Sequence, residues 1–233
     1  MWAFGWMAWR RLAAGEPLRG PWRGVARDTV GLTRFILITN FDITVRELAT
    51  NIAPLTIGWM LGPAAAGLLA LAQRATSVLT QPTVLLSQAS YAVLAAQVAR
   101  GELAAMRHTV WRSAALAMTV AVPIVMVLAA FGDRLLTILG GASFVGGAKL
   151  LILVALGRAA GLASAPLAAG LTALGLPERS MTVGLVTSLA LFPFLPLLLW
   201  LAGVEGAGWH AVLQNAVAAI TLTAMFRRDA GAE

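Results

Sequence analysis

Residues 31–61, GLTRFILITNFDITVRELATNIAPLTIGWML, carry charged and amide side chains in the middle of an apolar run, and these follow a pattern. Wound at about 100° per residue, Leu37, Ile38, Phe41, Val45, Leu48, Ala49, Ile52 and Leu55 fall in one uninterrupted apolar sector. Thr39, Asn40, Asp42, Arg46, Glu47, Thr50 and Asn51 occupy the remaining arc. A helix long enough to cross a bilayer, with one flank for lipid and the other for water or polar partners, suits the wall of a membrane cavity. The stretch therefore points towards a transporter.

Composition leads to the same class. The chain is 59% hydrophobic and 12% charged, with a mean hydropathy of +0.82, against roughly 25% charged in an ordinary soluble domain. With no cysteine there is no disulfide, thiolate metal site or cysteine nucleophile, and only two histidines remain for metal or acid–base chemistry. The net charge of +7 could suggest nucleic acid. Its basic residues, however, sit mostly in short segments between apolar runs, without a basic helix face or interleaved aromatics. Orientation in a membrane explains them, and no nucleic-acid partner is expected.

Hydropathy windows of about 19 residues give six spans, at 31–61, 64–98, 113–131, 148–174, 181–202 and 207–226, so an all-α membrane protein is expected. The second is longer than a 30 Å hydrocarbon layer requires, so its last turns should leave the membrane past Pro82. Gly62-Pro63, Gly132-Asp133, Gly140-Gly141, Gly175 to Pro177 and Gly203 to Gly208 supply the breaks. Short connections make neighbouring helices antiparallel.

Arg10, Arg11, Arg19, Arg23, Arg27, Arg34, Arg100, Arg107, Arg112, Arg179, Arg227 and Arg228 fall on one side of this topology, and only Arg134 and Lys149 on the other. The positive-inside rule then makes both termini cytoplasmic. The expected organisation is a segment 1–30, a six-helix transmembrane lobe 31–226 and a cytoplasmic tail 227–233. Within the first segment, Met1 to Trp9 reads as the stub of a preceding helix or an interfacial anchor, and the stretch to Val30 lies along the cytoplasmic surface.

Three arginines lie roughly halfway through spans: Arg46, Arg74 and Arg158. Each costs about 2.5–3.5 kcal/mol at that depth on insertion scales and needs a partner. Asp42, four residues before Arg46 on the same face, can supply a structural ion pair, with Glu47 turned about 100° away. Arg74 has no acidic residue on its helix. It shares a polar stripe with Gln73, Ser77, Gln81, Gln88 and Tyr91 that can act as interhelical glue or line a hydrated path. Around Arg158, Gly157, Ala159, Ala160, Gly161 and Ser164 allow close helix approach. If the cations share a cavity they can hold an anion, since the guanidinium fork matches phosphate and stays charged. The candidate substrate-binding set is Arg46, Arg74, Arg158, Gln73, Gln81 and Asn51, with Asp42 and Glu47 orienting an arginine or coupling an ion. Pro54, Pro82, Pro123, Pro166, Pro193 and Pro196 can allow bending in a rocking motion.

No GxSxG, HExxH, P-loop or GxGxxG motif is present, so no enzyme activity, catalytic residue, metal or cofactor is expected. His108 reads as solvated, His210 beside Trp209 as interfacial, and Gln214 and Asn215 as helix–helix hydrogen-bonding groups. Without a nucleotide site, transport would draw on an ion gradient, the membrane potential or a substrate gradient.

The stretch from Asp42 through Pro82, most of it NIAPLTIGWMLGPAAAGLLALAQRATSVLTQP, resembles the seventh and eighth helices of bacterial polysaccharide flippases. These belong to the multidrug, oligosaccharidyl-lipid and polysaccharide exporter superfamily. The likeness is carried by Gly62-Pro63-Ala64-Ala65-Ala66-Gly67-Leu68-Leu69-Ala70. A second stretch, FGDRLLTILGGASFVGGAKLLILVALGRAAG, resembles the loop before the tenth helix through Gly132, Leu135-Leu136, Gly140-Gly141, Phe144 and Ala148. Gly67-Leu68-Leu69 departs from the family's frequent Gly-x-Tyr, so no role of that aromatic ring carries over.

The resemblance covers about residues 31–226 and implies the second of two six-helix lobes, with a complementary N-terminal lobe as partner. Its implied substrate is an undecaprenyl-diphosphate-linked oligosaccharide, moved across the bacterial inner membrane for surface polysaccharide or lipopolysaccharide, O-antigen included. In the family the first two helices of each lobe line the cavity, which here would place Asp42, Arg46 and Arg74 there. Two other readings stay open: a cation-coupled multidrug exporter of the same superfamily, and a non-transporting membrane scaffold subunit.

Overall fold

A computed structural model describes residues 51–141, 144 and 146–229, with the side chains of residues 80–84, 86 and 87 outside the description. The chain divides into two units, Met1–Glu47 and Leu48–Glu233; the described residues all belong to the second. They form helices and turns, with no strand among them. The helices are α1 (Asn51–Leu61), α2 (Pro63–Ala75), α3 (Thr80–Ala99), α4 (Leu103–Gly140), α5 (Ala148–Ala173), α6 (Pro177–Leu191), α7 (Phe194–Ala202) and α8 (Glu205–Asp229).

Gly62-Pro63 makes the expected break between α1 and α2. Gly62 adopts φ +89°, a conformation that side chains rarely take, and Pro63 starts the next helix where its missing N–H costs nothing. The expected single span at 64–98 is interrupted by a 3₁₀ turn at Thr76–Leu79. Pro82 has no N–H to give the carbonyl four residues back, so the regular ladder cannot run through this point.

At 113–131 the helix is longer than expected. α4 runs for 38 residues, straight through Gly132-Asp133, for a length of about 57 Å. Gly132 is buried, and a Cβ there would lie 3.1 Å from Leu151 of α5. This glycine serves close packing and makes no turn. The fifth expected span is in fact the pair α6 and α7, bent by 52° at Phe192–Pro193. α5 and α8 lie close to expectation, and α8 carries Arg227 and Arg228 within its last turn.

Among the described residues, α4, α5 and α8 are long and apolar enough to cross a membrane, and α6 with α7 makes a fourth if the bent pair is one span. α5 is the axis of the packing. It supplies Leu150, Leu151 and Val154 to a cluster with Ile57, Leu69, Leu195 and Leu199. Leu167 and Leu171 join Leu94, Met106, Val110, Leu222 and Phe226, and Ala155, Ala159 and Leu162 join Leu79, Ala117, Ala121 and Leu128. A helix with neighbours on most of its sides is apolar over most of its surface, with Lys149 and Arg158 as its charged residues.

α5 meets α8 through small residues. A Cβ on Gly157 would sit 3.0 Å from the Ala211 carbonyl oxygen, and one on Gly161 would sit 3.1 Å from Asn215 Oδ1. The close approach expected around Arg158 is therefore present.

The connections α3–α4 and α5–α6 and the end of α8 gather at one end of the bundle. Arg100 pairs there with Glu102 at 3.0 Å, Arg179 pairs with Asp229, and the Arg227 guanidinium lies 5.4 Å from the Trp111 ring centre. At the opposite end Lys149 approaches Glu205 at 3.7 Å.

Candidate functional site

The break between α2 and α3 is held by its own hydroxyl groups. Thr76 is buried, and its Oγ1 donates to the Ala72 carbonyl at 2.8 Å and the Gln73 carbonyl at 3.2 Å; Ser77 Oγ donates to the Arg74 carbonyl at 2.7 Å. Carbonyls at the end of α2 thus receive hydroxyl donors within one turn of chain, beside the Thr76 backbone N–H that reaches the Ala72 and Arg74 carbonyls. Leu79, fully buried, pins the turn in the cluster containing Ala155, Ala159 and Leu162 of α5. The break therefore sits against the part of α5 that carries Arg158.

Arg74 is exposed in the last turn of α2 and Gln73 is half-buried. Beyond them Ser77, Gln88 and Tyr91 are exposed too. These polar residues make no interhelical glue among the described residues: their one side-chain hydrogen bond there is local, from Ser77. In a membrane-spanning chain such a face requires water, substrate or another polar surface.

Arg158 is half-buried on α5, and Asn51 is exposed at the first described turn of α1; neither is free of interactions. The structure thus brings the Arg74 and Arg158 segments side by side, one guanidinium exposed and the other half-buried. Gln81 lies in the first turn of α3, and its side chain is outside the description. Arg46, Asp42 and Glu47 lie outside the described residues.

Two amides and a histidine on α8 are engaged within the helices. Gln214 Nε2 donates to Ser188 Oγ at 2.6 Å, as expected of a helix–helix bond, whereas Asn215 Nδ2 turns back to the Ala211 carbonyl of its own helix at 2.8 Å. His108 is exposed, in keeping with a solvated residue. His210 differs from its interfacial expectation: it is buried, and Nε2 lies 3.0 Å from the Leu191 carbonyl oxygen.

The reason lies at the α6–α7 bend. The Leu195 N–H reaches the Phe192 carbonyl, and the Leu191 carbonyl takes its hydrogen bond from the histidine 19 residues on. The sequence offered no signal for this pairing beyond the proline at position 193. No group of three or more His, Cys, Asp or Glu that could hold a metal is found among the described residues.

A family model described as "Polysaccharide biosynthesis protein" matches residues 19–147, more than half of the chain. No curated protein and no solved structure matches it significantly.

Proposed function

Because the chain belongs to the polysaccharide biosynthesis protein family, we propose that it moves a diphosphate-linked lipid oligosaccharide across the bacterial inner membrane and catalyses no covalent reaction. The observation that carries this reading is that Arg74, Ser77, Gln88 and Tyr91 are all exposed along a broken helix of a membrane protein. A guanidinium held near the bilayer interior beside amide and hydroxyl groups offers a sugar diphosphate both charge and hydrogen bonds. The hydroxyls at the break give its carbonyls donors within the chain, so that they are not left bare to lipid.

On this reading the chain forms a six-helix lobe. Residues 31–61 supply the first helix, with Asp42, Arg46, Glu47 and Asn51 on its polar arc, and a complementary N-terminal lobe closes the cavity. Gln73, Gln81 and Arg158 add polar contacts. The bundle end carrying Arg100, Arg107, Arg112, Arg179, Arg227 and Arg228 is cytoplasmic, as are both termini.

The test is Arg74→Ala in cells whose surface glycan depends on this chain. Lipid-linked oligosaccharide should accumulate at the inner leaflet and surface glycan should fall, with protein level and membrane insertion unchanged. Normal glycan export by that variant would remove Arg74 and the polar face from the mechanism. Drug efflux dependent on Asp42 or Glu47, without a glycan defect, would favour a cation-coupled exporter instead.

A further inference from the structure

Away from that face, α4, α5 and α8 enclose a groove of about 330 Å³ lined by Trp111, Ala114, Ala115, Met118, Ser164 and Thr223, among others. Its wall is almost wholly apolar. Ser164 Oγ donates to the Gly161 carbonyl at 2.9 Å, so the buried hydroxyl in the wall is already satisfied. The small residues are what leave the space open: alanine side chains stand where larger ones on α4 and α8 would fill it.

Two side-chain rows run from this groove to the basic end of the bundle. On α4, Met118, Ala115, Trp111 and Arg107 succeed one another at helical spacings of three and four. On α8, Ala219, Thr223 and Arg227 follow one another at spacings of four. The Arg227 guanidinium is 5.4 Å from the Trp111 ring centre, which brings the two rows together at the groove's end. Arg100 and Arg179 have acidic partners there. Arg107, Arg112, Arg227 and Arg228 make no ion pair with a described residue.

An apolar slot that ends at an indole and unneutralised guanidiniums matches one kind of molecule in a bilayer. That molecule has an acyl chain attached to an anionic phosphate. We propose that this groove is a binding site for an anionic phospholipid, with one acyl chain lying along Ala115 and Met118 and the phosphate held by Arg107 and Arg227. Trp111 marks the boundary between the two, and its stacking on Arg227 holds the guanidinium ready for the phosphate. The site is separate from Arg74 and does not depend on what the chain transports.

The full chain, purified in detergent, can be mixed with equal amounts of dioleoyl phosphatidylglycerol and dioleoyl phosphatidylcholine and the retained lipid counted by native mass spectrometry. Phosphatidylglycerol should be retained several-fold over phosphatidylcholine. Replacing both arginines, Arg107→Gln with Arg227→Gln, should bring the two lipids to parity. Ala115→Phe, at an exposed position facing the slot, should lower retention of both, and Arg107→Lys with Arg227→Lys should keep the preference.

Each variant is first checked for helix content and a single elution peak. Equal retention of the two lipids by the unaltered chain, a preference unmoved by the glutamine variant, or undiminished retention by the phenylalanine variant would overturn the proposal. So would displacement of the lipid by inorganic phosphate alone, which would make the groove irrelevant to binding.

Discussion

At Thr76–Leu79 the carbonyls ending α2 are met from within the same turn, by the Thr76 N–H and by the hydroxyls of Thr76 and Ser77, whereas at the Phe192–Pro193 bend the Leu191 carbonyl is met by His210 from a different helix. Both breaks lie near a proline, but proline alone does not decide the outcome. Pro123 and Pro166 sit inside α4 and α5, which continue through them. The first break is therefore a local device that the chain carries with it, and the second exists only once α7 has folded back against α8. A polar face can be built on the first without reference to distant packing, and the second fixes the shape of the bundle.

The sharpest way to break this contrast is at the α7–α8 junction. A Cβ at Gly206 would lie 2.1 Å from the Leu198 carbonyl oxygen, a backbone atom that cannot rotate away. Gly206→Ala should force α7 off α8 and cost about 3 kcal/mol or more. Thermal unfolding in detergent, followed by loss of the monodisperse elution peak, measures it. An unchanged midpoint would mean that the turn is not fixed by this contact.

His210→Leu comes next. It removes the side-chain hydrogen bond to the Leu191 carbonyl and puts an apolar side chain of similar volume in its place, and should cost about 1–2 kcal/mol. A loss no larger than that of a surface substitution would show that water or relaxed backbone can serve this carbonyl equally well.

These two sites also mark how far the sequence could be read. A run of small and apolar residues bounded by Gly146-Gly147 and Gly175 specifies α5 almost to its ends, because its neighbours on most sides require the same apolar character. The closeness of α5 to α8 was legible in Gly157 and Gly161 for a related reason, since small side chains are the local condition for close approach. Gly132-Asp133 read as a turn and turned out to be a contact, because glycine serves both purposes and only the facing Leu151 separates them.

The engagement of His210 needed a partner 19 residues away and a bend whose 52° angle no local pattern encodes. In the candidate site, the polar stripe through Arg74 was legible as a periodic pattern. The 3₁₀ turn that interrupts it changes the angle per residue, and so changes which members share a face.

At the first break, Thr76→Val tests the claim that capping is local. It exchanges a hydroxyl for a methyl at constant shape and leaves the Ala72 and Gln73 carbonyls to the backbone alone, for a loss of about 0.5–1 kcal/mol. That is smaller than the His210 effect because backbone bonds of 3₁₀ type can shorten to replace part of it. A larger loss at Thr76 than at His210 would invert the comparison, making the α2–α3 break the one on which the bundle depends.

Arg74→Ala should move stability least of all, by less than about 0.5 kcal/mol, since the side chain is exposed and bonded to no described residue. On the proposed reading the same change should lower glycan translocation at least about ten-fold, the scale set by losing a charged hydrogen bond to phosphate. Together the two measurements separate a residue that holds the fold from one that faces a substrate. If translocation fell only in proportion to a lost melting midpoint, Arg74 would belong with His210 as a structural group. The exposed face at the first break would then have no claim to substrate, and the two breaks would differ only in how they satisfy carbonyl oxygens.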